Sequence, residues 1–424
     1  MTEVDVLVVG GGPAGIAAAV RAAETSRRVV LVDESPEVGG QIWRHRSRGQ
    51  LPVVARTWIG GLAASGVQML RGTSVVDARE DNDAMIVTAE RNGVPMLVRA
   101  RAVVLATGAR ERFLPFPGWT LPGVIGVGAA QALLKSGLSF EGKRIVIAGS
   151  GPLLLPVASS LKASGASVLL VAEQAPRRAV VGFAMGLLTQ PATLLQAARY
   201  RSGFFGTPYH FGEWVSAARG DGALREVDIT NGATTRTIAC DVLCAAFGLV
   251  PNTELAQLLG CAIADGVVVV DDRQQTSRAR VYCAGEPTGI GGMELAVAEG
   301  ELAGLCATGG MADSRLIARR NALRETAKRM ERAFAPRPEL RALATPDTIV
   351  CRCEDVTLGA IDRSWSMRKA KLYTRAGMGP CQGRVCGAAL EVLYGWPADS
   401  VRLPTEPALL STLTAESTSA KQGA

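Results

Sequence analysis

Aromatic residues make up only 5% of this 424-residue chain, and histidine occurs twice, at His45 and His210. Neither histidine sits in a recognisable acid–base motif, so no substrate-activating base is assigned. The nine cysteines contain no C-x-x-C, which excludes a dithiol redox centre of that spacing. The acidic N-terminus runs straight into a strand, so no secretory signal is expected. The cysteines then argue for a reducing, cytoplasmic setting rather than a disulfide framework. The longest apolar stretches are broken by glycine, so no membrane span is expected, and any membrane association would be peripheral, at the inner face. Net charge is +7, and the segment from Arg315 to Arg341 carries much of the excess. That segment lacks the aromatic or motif support a nucleic-acid site needs. It reads as an arginine-rich surface helix that meets a partner subunit or faces water.

Glycine, by contrast, is abundant at 48 residues. Val4–Gly15 (VDVLVVGGGPAG) reads as a buried strand, a tight turn and the opening of a helix, with Gly10, Gly12 and Gly15 at G-x-G-x-x-G spacing. Gly10 permits the turn, Gly12 admits a pyrophosphate, and Gly15 lets helix and strand pack closely. Pro13 and Ala14 open a helix whose N–H groups face the phosphates. Val29–Val32 is the next strand, and Asp33, 23 residues after Gly10, ends it where a ribose hydroxyl needs an acceptor, followed by Glu34. Gly39, Gly40 and Gln41 form a second flexible loop, and the strand Ala102–Leu105 ends in Thr107-Gly108. His45 and the neighbouring Arg44, Arg46 and Arg48 follow that loop; the histidine reads as a surface residue, and the arginines face either phosphate or water.

A second strand–turn–helix begins at Lys143. It keeps Gly149 and Gly151 but places Leu154 at the third glycine position, with Glu173 ending the following strand. Leu154 is expected to push helix and strand apart, and Pro156 to alter the first helical turn. This is a Rossmann-like unit with a degraded or altered site, holding either NAD for turnover or a structural, non-redox nucleotide. Further strands follow at Val242–Gly248, Val267–Val270 and Val281–Cys283, the last leading into Gly285-Glu286 and a helix from near Glu294. Residues 311–345 form a basic amphipathic helix (Ile317, Leu323, Met330) and then prolines, which we read as a linker.

Four of the nine cysteines fall within 36 residues, as Cys351-Arg352-Cys353 and Cys381-Gln382-Gly383-Arg384-Val385-Cys386. Thiolates are soft ligands, suited to zinc or iron–sulfur. A one-residue gap is tight for a zinc loop and workable in a [2Fe-2S] cluster, where each iron takes two thiolates. The remaining five, Cys240, Cys244, Cys261, Cys283 and Cys306, read as small core residues.

The order of these units over about residues 1–310 resembles glutathione-reductase-like flavoproteins, in which an NAD-type domain interrupts the FAD domain. The cysteine segment, C-R-C-E-D-V-T with G-M-G-P-C-Q-G-R-V-C-G, resembles the bacterioferritin-associated ferredoxin type. More closely, the whole chain, including Tyr200–Trp214, resembles A-type subunits of opine oxidases, hydrogen cyanide synthase and hydroxyproline dehydrogenases. The sarcosine oxidase α subunit shares the segment but is far longer. The resemblance implies an α/β fold of two Rossmann-like dinucleotide-binding domains and a small C-terminal cysteine-rich α domain. The expected FAD domain is 1–113 with 246–310, the NAD(P)-like domain 114–245, the linker 311–345, the [2Fe-2S] domain 346–400 and a tail 401–424. FAD would be held by Gly10, Gly12, Pro13, Ala14, Gly15, Asp33, Glu34, Gly40, Gln41, Thr107, Gly108, Gly285 and Glu286. In the family the acid at the last position holds the ribityl chain and is usually Asp. The cluster ligands carry over as Cys351, Cys353, Cys381 and Cys386. The resemblance further implies an amino-acid-oxidase-like partner subunit, a respiratory electron acceptor, and room for an FMN at a subunit boundary. Two rivals stand beside this electron-transfer subunit. One is a self-contained NAD(P)H-dependent ferredoxin-type reductase, the other a structural or assembly subunit with non-redox nucleotide sites.

Overall fold

The computed structural model describes residues 1–25, 27–44, 51–188, 190–397 and 401–421. They form two compact units. The first comprises Met1–Arg110, Pro251–Lys328 and the described residues from 401 to 421; the second comprises Glu111–Val250 and the described residues from 329 to 397.

The first unit opens with β1 (Thr2–Val9), α1 (Pro13–Ala23) and β2 (Val29–Asp33). β3 (Gln68–Arg71), β4 (Ser74–Asp81), β5 (Ala84–Arg91) and β6 (Val94–Leu105) complete a sheet in the order β3-β2-β1-β6-β5-β4. The register sets Val8 between Leu31 and Val104, all parallel, while β4, β5 and β6 are antiparallel. β1 and β2 are covered on both faces, so they read as continuous apolar runs rather than alternating ones. A late strand, Val281–Cys283, adds to β6 in parallel.

In the second unit, β7 (Val124–Gly126), β8 (Arg144–Gly149), β9 (Ser167–Glu173), β10 (Tyr209–Phe211) and a fifth strand, Val242–Ala246, form an all-parallel sheet. Its order is Tyr209–Phe211, Ser167–Glu173, Arg144–Gly149, Val242–Ala246, Val124–Gly126. The helix α2 (Leu154–Ala163) follows β8, and the crossover from β9 to β10 carries α3 (Arg177–Gly186) and α4 (Pro191–Gly203). The cysteine segment has its own small core, built from Val350, Cys351, Ile361, Met367, Ala370, Cys386, Leu390 and Trp396. A short strand pair, Ile349–Cys351 with Val356–Thr357, joins the helices in this segment, and the Trp119 indole N–H donates to the Ile349 carbonyl at 2.6 Å.

Three expected boundaries differ from the structure. The segment expected as a linker contains α6 (Ser314–Ala333), whose N-terminal part belongs to the first unit together with α5 (Gly292–Ala307). Arg320 on α6 is fully buried there, donating to Gln274 at 3.0 Å and to Asp272 at 2.7 Å. The arginines expected to face water or a partner thus turn partly inward, because buried carboxylates and amides of the first unit receive them. The cysteine segment groups with the second unit instead of standing alone. The tail packs onto the first unit, where Thr405 N–H donates to the Val76 carbonyl at 2.9 Å, and Leu409 N–H and the Thr412 hydroxyl donate to Glu90.

Candidate functional site

Four segments of the first unit converge on the turn between β1 and α1. A Cβ on Gly10 would lie 2.2 Å from the Ala106 carbonyl oxygen, and one on Gly15 would lie 1.8 Å from the Gly10 carbonyl oxygen. These two positions admit only glycine. Gly12 is different: a Cβ there meets nothing within 4 Å. The turn therefore leaves open space in front of Gly12, where α1 begins without a side-chain cap and its first N–H groups remain available. Gly39 N–H donates to the Gly11 carbonyl at 2.7 Å, and Gly40, at φ 56°, brings its loop to within van der Waals contact of Gly12. Gln41 is exposed on the short helix that Gly40 opens.

The two acids at the end of β2 divide their work. Asp33 is buried and accepts from Gly11 N–H at 2.5 Å and Ser35 N–H at 2.7 Å, so it holds the turn. Glu34 is exposed beside it. On the far side, Thr107 and Gly108 are tied to Asn252. The Thr107 hydroxyl donates to the Asn252 carbonyl at 2.6 Å, the Asn252 amide to the Thr107 carbonyl at 2.9 Å, and Asn252 N–H to Gly108 at 3.0 Å. Asn252 had no assigned role in the sequence, since nothing local marks it as the clasp of a strand 145 residues away.

Gly285 completes the cradle: at φ 79°, its Cβ would sit 2.9 Å from the Ala14 methyl. Burial alone pushes the Glu286 carboxyl above the usual range. Glu299 on α5 was also missed, although an acid within the apolar GMELAVAEGELAGLCA is a signal. It is fully buried, accepts from Gly285 N–H at 2.9 Å and the Thr288 hydroxyl at 2.7 Å, and pairs with Arg324 at 2.7 Å. α5 reaches this position because Gly300 and Gly304 pack against the α1 backbone; a Cβ on either would lie 2.1 Å from the Ala14 or Ala18 carbonyl oxygen. The residues present therefore fit a dinucleotide: an open turn, a helix N-terminus, an exposed acid and a half-buried acid on one cradle.

The second unit repeats the turn but covers it. Glu173 is fully buried and accepts from Gly151 and Ala175 N–H, each at 2.8 Å; burial pushes its carboxyl up to about 7. Gln174, which follows as Glu34 follows Asp33, is also fully buried. Its amide donates to Ser150 at 2.8 Å and the Ala335 carbonyl at 3.0 Å and accepts from Arg337 N–H at 3.1 Å. Leu154 is buried, and α2 begins there, whereas α1 begins at Pro13, directly after Gly12.

The four clustered cysteines stand as two pairs. Cys351 and Cys386 are buried and lie beside each other; Cys381, half-buried, lies beside the exposed Cys353. Burial works to raise the Cys381 thiol, yet the Val385, Gly383 and Arg384 N–H groups and Cys353 outweigh it and bring it below its ordinary value. Burial pushes the Cys386 thiol up. Gly379 packs against Cys353, where a Cβ would lie 2.2 Å from the Cys353 methylene. Among the described residues, no group of three or more His, Cys, Asp or Glu is arranged to hold a single metal ion. The donor set, four thiols in two pairs with N–H groups aimed at one sulfur, suits a two-iron cluster better than one tetrahedral ion. His210 lies elsewhere in the second unit, with Glu213 and Arg236, and His45, Arg46 and Arg48 lie outside the described residues. Arg44 donates to the Ser35 hydroxyl at 2.7 Å.

The family model for pyridine nucleotide-disulphide oxidoreductases matches residues 4–301. The chain belongs to that family. It is a flavin oxidoreductase, and membership implies FAD binding. This oxidoreductase is 31% identical to the A-type subunit of opine oxidase from Agrobacterium tumefaciens, across 96% of this chain and 91% of that one. It is 34% identical to the HcnB subunit of hydrogen cyanide synthase from Pseudomonas aeruginosa, across 94% and 93%. Among solved structures it is similar to L-proline dehydrogenase from P. horikoshii, with a TM-score of 0.71 at 23% identity over 97% of this chain and 79% of that one, a likeness of fold.

Proposed function

We propose that this chain is the FAD- and [2Fe-2S]-bearing electron-transfer subunit of a heteromeric dehydrogenase acting on an amino acid, imino acid or opine. An amino-acid-oxidase-like partner would oxidise the C–N bond, and electrons would pass through this chain towards a respiratory acceptor. One observation carries the reading: an open dinucleotide cradle and two pairs of clustered thiols occur in one chain. The relatives named as subunits of opine oxidase and hydrogen cyanide synthase support it.

A flavin exchanges electrons in pairs or singly, and a [2Fe-2S] cluster singly, so the two together join two-electron to one-electron traffic. The chain's own residues do the positioning. Gly12 and the first N–H groups of α1 would receive the pyrophosphate, Glu34 would accept from the adenosine ribose while Asp33 holds the turn, and Glu286 would lie towards the ribityl chain. Glu299 fixes Gly285 so that this approach stays narrow. Cys351, Cys353, Cys381 and Cys386 would hold the cluster, with the N–H groups of residues 383–385 favouring thiolate at Cys381.

The second turn favours a non-redox role, because Glu173 and Gln174 are covered by the chain itself. Anaerobic mixing of the purified chain with NADH or NADPH should leave the flavin oxidised; rapid bleaching would transfer the assignment to a self-contained reductase. Extraction should yield FAD, iron and sulfide. An FMN at the boundary with the partner would appear only in the assembled complex. Material lacking both flavin and iron would leave the structural-subunit reading instead.

A further inference from the structure

The crossover from β9 to β10 buries Leu187 and Phe204 at the ends of its helices but leaves the helices themselves largely uncovered. Neither α3 (RRAVVGFAMG) nor α4 (PATLLQAARYRSG) contains a fully buried residue. A crossover helix ordinarily lays an apolar stripe on its sheet and shows a polar face to water. After Arg178, α3 has no polar face. Its inner side meets the protein through Phe183, whose ring lies 5.5 Å from that of Phe334. On its outer side Val181 is 47% exposed, Met185 64% and the following Leu188 69%, at i, i+4 and i+7. Leu195 on α4 is 73% exposed, and Phe205 just beyond it is 83% exposed. A helix apolar on every side is one that is buried on every side, and large apolar side chains left exposed along one helix face point to an interaction site.

Composition identifies what covers it. Between Glu173 and Glu213 there is no Asp, Glu or Lys, and the only charges are Arg177, Arg178, Arg199 and Arg201. Met, Phe and Arg with Lys and the acids depleted is the composition of a protein–protein interface core. A bilayer surface would be served equally well by lysine. Arg177, Arg178 and Arg199 are exposed. A second copy of this face about a two-fold axis would bring those arginines together, and the crossover itself offers them no carboxylate. Charge complementarity therefore favours a different chain as the source of the carboxylates.

We propose that the α3–α4 crossover is the docking face for the other subunit of the heteromer, which meets it with an apolar centre and a carboxylate rim. The inference rests on the subunit reading given under Proposed function, and its test separates the two. The full chain is co-expressed with the amino-acid-oxidase-like subunit of its own organism, as wild type and as the double variant Met185→Glu/Leu188→Glu. Both residues are exposed, so the variant should keep the wild-type circular dichroism, melting temperature and flavin content. Size-exclusion with light scattering should show a complex for wild type and separated subunits for the variant, with affinity at least ~30-fold weaker. A variant that assembles as wild type overturns the docking face and leaves the subunit reading intact. A wild-type chain that stays alone while holding flavin overturns both. A wild-type homodimer that the variant dissolves assigns the face to a second copy. Binding to phosphatidylglycerol vesicles that the variant abolishes assigns it to a membrane; both results overturn the proposal.

Discussion

The glycines of the first turn separate folding from binding one residue at a time. Gly15→Ala places a methyl 1.8 Å from the Gly10 carbonyl oxygen, so strand and helix must part. It should cost about 3 kcal/mol or more, visible as a lowered denaturation midpoint. Gly12→Ala meets only open space, at φ −76°, which any residue adopts. It should melt close to wild type while retaining flavin at least ~10-fold more weakly, the methyl standing where a pyrophosphate passes. Equal retention by the Gly12 variant would show that the phosphates lie elsewhere. Glu173 makes a prediction of pH. Its carboxyl is pushed up to about 7 by burial, against 4.5 when exposed, so the folded state binds the extra proton between those values. Stability from this group is present below pH 4.5 and is lost as pH rises through 7, by about 3 kcal/mol. Glu173→Gln should flatten the decline of the denaturation midpoint between pH 5 and 8, and an unaltered slope would refute the assignment.

Among the elements, α6 has the largest consequence for the site without touching its open space. Arg324 pairs with Glu299 at 2.7 Å, and Glu299 in turn holds Gly285 N–H and the Thr288 hydroxyl. Arg324→Met should leave a buried, unpaired carboxylate and cost about 3 kcal/mol, together with weaker flavin retention. The double variant Glu299→Gln/Arg324→Met should recover much of that loss, because the uncompensated charge is gone while one acceptor remains for Gly285. Failure to recover would mean that Arg324 acts through packing. The same element shows where periodicity misleads: its composition reads as a solvated basic face, yet Arg320 is fully buried. The reason is distance along the chain. Its acceptors, Gln274 and Asp272, lie 46 and 48 residues earlier, and no local pattern announces them.

For the whole molecule, the decisive question is what the paired thiols hold. Replacing Cys351, Cys353, Cys381 or Cys386 singly by Ser should lower iron and sulfide content and visible absorption in the purified chain. Cys240→Ser or Cys261→Ser should leave all three unchanged; zinc without sulfide in wild type would refute the cluster. The cysteine spacing, the G-x-G-x-x-G turn and the acid at the end of β2 could be read directly, because each obeys a rule that spans at most a few tens of residues. Those rules pointed to the class of fold, which the structure has, and named the first cradle and the thiolate set as candidates. Tertiary structure alone decided that Glu34, rather than Asp33, presents its carboxylate, because Asp33 is engaged by the backbone N–H groups of Gly11 and Ser35. It also closed the second turn, bringing residues 335 and 337 onto Gln174 from more than 160 positions away. Short-range spacing reports which groups are available; burial and long-range hydrogen bonds determine which of them remain free to act.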